Sequence, residues 1–154
     1  MKPLDDYLPY LLNRAGARIA AAFTEVVRGY GITLPMWRVL AALNETDGQR
    51  MGELAERTSI DASTLSRVID AMQRQGLVAR QRRDDDQRGV TVHRSPAGRE
   101  LTQKIVPVAL HYEQAALQGF SGPQAKLLKR MLIQLFRNID ALEAEQRQPP
   151  ARAG

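Results

Sequence analysis

Ser63, Thr64, Ser66 and Arg67 stand within five consecutive residues, and Arg74 follows on the same side of any helix that carries them. Short hydroxyl side chains let a backbone approach closely while still making hydrogen bonds, and a guanidinium offers the paired donors that match O6 and N7 of guanine in the major groove of duplex DNA. A second cationic group comes next: Arg82 and Arg83, then Arg88 beyond Asp84-Asp85-Asp86-Gln87. Arginines on an extended ribbon can lie along or in the narrow minor groove, where the negative potential is strongest. Asp86 sits two residues before Arg88, so its carboxylate can hold that guanidinium; the acidic run then reads as a turn and not as a metal site.

Other chemistry is hard to build from this chain. It has no Cys, which excludes a disulfide framework, a thiolate nucleophile, a thiol redox sensor and a thiolate metal site. Only 2 His are present, and no G-x-S-x-G, P-loop, dinucleotide fingerprint or H-E-x-x-H occurs, so neither an enzyme nor a bound cofactor or metal is expected. Against 17 Asp and Glu stand 22 Lys and Arg, a net charge of +5 that suggests a polyanionic partner. Aromatic residues make up only 5% and are not interleaved with basic ones, so duplex DNA fits better than a single strand stacked on rings. No apolar run approaches the ~20 residues of a membrane span. The acidic start, MKPLDDYLPYLL, is unlike a signal peptide; a cytoplasmic protein without membrane contact is expected.

The elements that must position these side chains are legible from periodicity. Leu8, Leu12, Ala15, Ile19, Ala22, Phe23 and Val26 mark a long first helix that stops at Gly29-Tyr30-Gly31. Thr33 caps a second helix carrying Met36, Val39, Leu40 and Leu43, with Asn44 to Gly48 as its exit turn. Met51, Leu54, Ala55 and Thr58 give a short helix, Ser59-Ile60 a tight turn, and Asp61 the cap of the next helix, which is helix-turn-helix spacing. On that next helix Ala62, Leu65, Val68, Ile69 and Met72 cover one face, while Ser63, Arg67, Asp70 and Arg74 lie opposite. A solvated face would be the better reading of this helix alone; the ribbon that follows reverses the preference. Gly76 ends the helix, residues 77–83 form a strand, and Val90 and Val92 alternate with polar residues in its hairpin partner. Ser95-Pro96 opens a helix through Leu101, Ile105, Val108 and Tyr112, which Pro107 should bend. Ser121-Gly122-Pro123-Gln124 fits a capping box before the stripe Leu128, Met131, Leu135, Ile139 and Leu142. The polar end, 146–154, reads as a disordered tail.

The segments LPMWRVLAAL, GELAERTSIDASTLSRVIDAMQRQGLVARQRRDDDQRGVTV and SPAGREL, with the D-x-R element at Asp86 and Arg88, resemble the MarR family of multiple-antibiotic-resistance-type regulators over about residues 5–145. The resemblance implies a mainly α (α+β) winged helix-turn-helix fold in a single domain, 1–145. Residues 1–30 and 96–145 would be dimerisation helices, and 34–94 the winged-helix DNA-binding lobe. It further implies a homodimer on a pseudo-palindromic operator in double-stranded DNA, and repression relieved by a small effector: an aromatic carboxylate, a phenol or a CoA thioester. Control of aromatic-compound catabolism or of efflux would follow. Ser59 stands where the family often has Gly, and Arg94 where it usually has an apolar residue, which suggests a more exposed strand end.

On the first helix Tyr7, Leu11, Arg14 and Arg18 share one border of the apolar stripe, and Arg14 and Arg18, four residues apart, could meet a carboxylate. The resemblance places the effector pocket between this helix, the second helix and the DNA-reading lobe. That adds Trp37 and Arg38 as candidates, with His111 on the helix after the ribbon. Ordinary core, surface or ion-pair roles stand beside each of these. The alternatives to a ligand-responsive repressor are an effector-independent architectural DNA protein and a protein-binding winged-helix module.

Overall fold

The computed structural model describes residues 3–82 and 89–147. The chain divides into two compact units, one through Glu113 and one from Gln114.

The first unit opens with a short 3-10 turn, Leu4–Asp6, and the helix α1, Leu8–Arg28. Helix α2, Leu34–Glu45, begins where Thr33 Oγ1 accepts from the Met36 N–H, and all four apolar positions expected on it are buried. They meet Phe23 and Val27 of α1, and one core continues through Leu54 of α3 (Met51–Thr58), Leu65, Ile69 and Met72 of α4 (Ala62–Arg74) and Ile105 of α5 (Pro96–Ala116). Each fully buried Leu or Ile contributes about 1.5–3 kcal/mol of transfer free energy, so this shared core is what fixes α4 against α2 and α3.

The expected two-stranded ribbon is a three-stranded antiparallel sheet in the order β1-β3-β2. Strands β2, Val78–Arg82, and β3, Val90–Arg94, pair as expected, with Arg80 opposite Val92 and Arg82 opposite Val90. The unexpected strand is β1, Gln49–Arg50, directly after the exit turn of α2. The Gln49 amide fixes it by donating to the carbonyls of Ala42 at 2.8 Å and Thr46 at 2.7 Å, so one side chain both caps α2 and aligns the strand. In β3 the inward residues are Thr91 and Val92, whereas Val90, expected to face the core, is exposed at the far end of the ribbon. Arg94 is not released into solvent: its N–H donates to Asp47 Oδ1 at 3.0 Å and its guanidinium to Asn44 Oδ1 at 2.7 Å, tying β3 to the α2 exit turn.

Helix α5 starts as expected. Ser95 Oγ accepts from the Gly98 N–H at 2.9 Å and donates to the Gly76 carbonyl at 2.6 Å, Pro96 occupies the first position, and the helix continues through Pro107.

In the second unit the capping box is formed by Ser121 and Gln124, whose side chains each accept from the other's backbone N–H. Helix α6, Gly122–Arg147, runs two residues into the segment expected as tail, and 148–154 lie outside the described residues. Among the described side chains of α6 none is buried: Met131 is 61% exposed, Phe136 54% and Ile139 49%.

Candidate nucleic-acid interface

The turn before α4 sets the pitch of the site. Helix α3 ends at Ser59, which adopts a left-handed conformation at φ 52°, and its residues Ala55 and Glu56 supply carbonyls to the Ile60 and Ser59 N–H groups. A Cβ at positive φ costs about 1 kcal/mol relative to glycine, which is why glycine is a natural occupant of this position. Ile60 is buried, so the turn is pinned from inside.

Asp61 then caps α4: its Oδ1 accepts from the Thr64 N–H at 2.9 Å and the Ser63 hydroxyl at 2.7 Å. The Ser63 hydroxyl proton is thereby committed, which leaves its oxygen as an acceptor toward an incoming donor such as a base amino group. Leu65, Ile69 and Met72 seal the inner face; Ala62, expected with them, is exposed. Ser63, Thr64, Arg67 and Arg74 are exposed on the outer face and Ser66 is half-buried beside them. Neither Arg67 nor Arg74 forms an ion pair among the described residues. Arg82 is exposed at the end of β2, whereas Arg83, Asp86 and Arg88 lie outside the described residues.

Two contacts at this surface were not expected from the sequence. Asp70, expected on the open face of α4, is instead bridged to Arg80 of β2, which also reaches Gln73. Arg50 caps α3 with Glu53, whose carboxylate accepts the Arg50 N–H at 2.7 Å. Spacing places Asp70 and Gln73 on one side of α4, but that Arg80 of β2 packs against them is set by the fold.

The Asp61 carboxyl is held well below the usual carboxylate range, chiefly by the side chains of Thr64 and Ser63 and then by the Thr64 N–H. A depressed folded-state pKa stabilises the fold at pH values above the unfolded carboxyl's ~4 and is lost as pH falls from there toward the lowered folded value. Asp61→Ala should therefore unfold at a lower temperature than the parent at neutral pH, with the gap narrowing below pH ~4. Thermal scans across pH would contradict this if the gap stayed constant.

A cleft of ≈ 530 Å³ opens between α2 and α3, lined by Trp37, Arg38, Ala41, Ala42, Glu45, Arg57 and Thr58. Arg57 and Glu45 form an ion pair between the two helices. Trp37 is half-buried with its ring 5.9 Å from that of Phe23, which in turn meets the edge of Tyr112 at 5.5 Å. Of the expected effector residues, only Trp37 and Arg38 line this cleft. Tyr7, the residue before α1, and Leu11, Arg14 and Arg18 on it are exposed, with Arg14 5.4 Å above the Tyr10 ring and 3.8 Å from Asp5. His111 is exposed beside Tyr112. No cluster of metal-ligating side chains and no helix long and apolar enough to cross a membrane occur among the described residues.

A model of the MarR family matches residues 30–89, which run from just before α2 to the residue before β3. The crystal structure of a MarR-family transcriptional regulator from Silicibacter pomeroyi matches at TM-score 0.81 and 31% identity, over 89% of this chain and 92% of that one. The chain belongs to the MarR family. As a MarR-family member it is a transcriptional regulator and not an enzyme. Two further relatives extend the comparison. BpsR of Bordetella bronchiseptica, whose DNA binding is regulated by 6-hydroxynicotinic acid, matches at TM-score 0.75 and 25% identity over 88% of this chain and 98% of that one. The transcriptional repressor IacR of Pseudomonas putida is 25% identical over 138 residues, 90% of this chain and 83% of its own.

Proposed function

We propose that this MarR-family chain is a cytoplasmic, homodimeric repressor that reads a pseudo-palindromic duplex and is released from it by a small aromatic acid. The observation that carries the DNA-reading part is the outer face of α4: Ser63, Thr64 and Arg67 are exposed at the end of a helix whose inner face is sealed, with Arg82 exposed at the outer end of β2. Ser63, Thr64, Ser66 and Arg67 are assigned to base edges. Arg74, Arg82, Arg83 and Arg88 are assigned to the backbone and minor groove, with Asp86 holding Arg88. In fluorescence anisotropy with the DNA upstream of its own gene, Arg67→Ala should lower affinity about tenfold and relax preference at one base pair. Arg82→Ala should weaken all duplexes alike and reduce the slope of log affinity against log salt by about 1. No preference over random DNA in the parent protein would sink the reading.

For the effector, the α2–α3 cleft is the best-supported place. Its volume suits a small aromatic acid, whereas a CoA thioester would have to leave most of its length in solvent. Trp37 offers a ring face, and Arg38 and Arg57 offer guanidinium donors from two helices. A bound carboxylate would compete with Glu45 for Arg57 and so loosen the tie between α2 and α3. Release follows only if that ligand prefers the loosened state. Trp37 is the sole Trp, so its fluorescence reports the cleft directly. Salicylate and 6-hydroxynicotinate should perturb its emission saturably, and Arg38→Ala should weaken that binding about tenfold. Non-saturable quenching, unaffected by Arg38→Ala, would place the effector elsewhere.

A further inference from the structure

The contact between Arg80 and α4 bears on how the two DNA-reading elements are held in register. Arg80 lies mid-way along β2, opposite Val92, whose side chain is fully buried; beyond it the same strand face carries Arg82. One nitrogen of Arg80, Nη1, lies 2.5 Å from Asp70 Oδ1 and 2.6 Å from Gln73 Oε1. These acceptors are one turn apart on α4, so a single donor from the wing strand is gripped at two points on the helix. The Arg80 side chain is 29% exposed and that of Asp70 45%, which shields the pair in part from water and salt. Asp70 is also a carboxylate on the helix that carries Arg67 and Arg74, three and four residues away. A negative charge there opposes phosphate binding unless it is there for another reason.

We infer that Asp70, Gln73 and Arg80 form a positioning clamp that fixes the angle between α4 and the wing, so that Arg80 acts on DNA affinity through Arg82 and the ribbon beyond. This rests on the reading of α4 and the wing as the DNA-contacting elements. Charge and geometry make opposite predictions for Asp70. Removing its carboxylate takes a negative charge from a phosphate-facing surface and frees the Arg80 cation, and both changes would strengthen binding if charge alone mattered. If the clamp positions the wing, the same change weakens binding to the selected sequence.

The test uses the full chain and a duplex enriched from a random pool by the parent protein, with a random duplex alongside, in anisotropy titrations over a salt series. Asp70→Ala should lower affinity for the selected duplex about tenfold while leaving the random duplex unchanged or slightly tighter. Arg80→Ala should lower affinity for the selected duplex to a similar extent, with some loss on the random duplex as well because a cation goes and Asp70 is left unpaired, and the double variant should be no worse on the selected duplex than either single. The exchanged pair, Asp70→Arg with Arg80→Asp, should recover part of the loss, which a general loss of stability would not do. Asp70→Asn serves if the alanine variant melts early. Unchanged or tighter selected-duplex binding by Asp70→Ala, or additive losses in the double variant, would overturn the clamp. A parent protein that enriches no sequence would instead overturn the DNA-reading assignment beneath it.

Discussion

Gly98→Ala is expected to lower the thermal midpoint by about 6–12 °C, from about 3 kcal/mol of destabilisation at 2–4 °C per kcal/mol in a chain of this size. A Cβ on Gly98 would lie 2.1 Å from the Leu77 carbonyl oxygen and 3.1 Å from its carbon. Both are backbone atoms, so no rotamer change relieves the overlap. The oxygen cannot retreat freely, because it accepts the Ser95 N–H at 3.0 Å, and Ser95 Oγ in turn binds the Gly76 carbonyl. The side chain of Leu77 is buried in the core and anchors the same peptide from the other direction. The junction joins the end of α4, the root of the wing and the start of α5, so a shift there also displaces Arg80 and Arg82. Gly52→Ala is the control: it too is helical, but an added Cβ meets nothing within 4 Å, and the change should be neutral or slightly stabilising. Equal midpoints for the two variants in parallel scans would refute the packing argument.

That junction also shows what was legible in the sequence. Ser95-Pro96 announces a helix start because the cap and the missing N–H act within four residues, and the Thr33, Asp61 and Ser121 caps were readable for the same reason. The buried stripes of α2 and α4 follow from a 3.6-residue period that a core on one side enforces. The close approach of Gly98 to Leu77 is different: it depends on how α5 lies on a peptide 21 residues earlier, and no local pattern encodes it. Strand β1 was missed because two residues cannot display an alternation, and its position comes from the Gln49 amide reaching back to α2. The alternation expected at Val90 failed because the core ends before that part of the ribbon, leaving Thr91 and Val92 as the inward residues. At the site, the face of α4 could be read residue by residue. The Asp70–Arg80 bridge and the Glu45–Arg57 pair could not, since each joins two elements whose juxtaposition only the fold supplies. The cleft beside Trp37 and Arg38 was likewise not legible, because its second wall is α3, and spacing along α2 does not report which helix packs against it.

If the proposed homodimer forms through α6, Met131→Glu combined with Ile139→Glu should leave the protein monomeric and weaken its selected duplex about a thousandfold, within the 10²–10⁴ that linking two binding modules supplies. Helix α6 spans about 39 Å at 1.5 Å per residue, and large apolar side chains including Met131, Phe136, Ile139 and Leu142 are about half exposed along it. An apolar stripe that its own chain does not bury, on so long a helix, is what a second copy of the same helix can cover by self-complementary packing. A carboxylate placed mid-stripe would be desolvated on association without a partner, and two of them about two turns apart along the stripe should abolish it. Nothing in the α4 face changes, so each monomer keeps its base readers; what is lost is the second half-site held at high effective concentration by the first. The salt slope should fall roughly by half, because half the phosphate contacts per complex disappear. Sedimentation equilibrium at micromolar protein, paired with anisotropy on the selected duplex, checks both parts. A variant that remains dimeric would move the interface off α6, and a monomeric variant that still binds with parental affinity would mean that dimerisation contributes nothing to recognition.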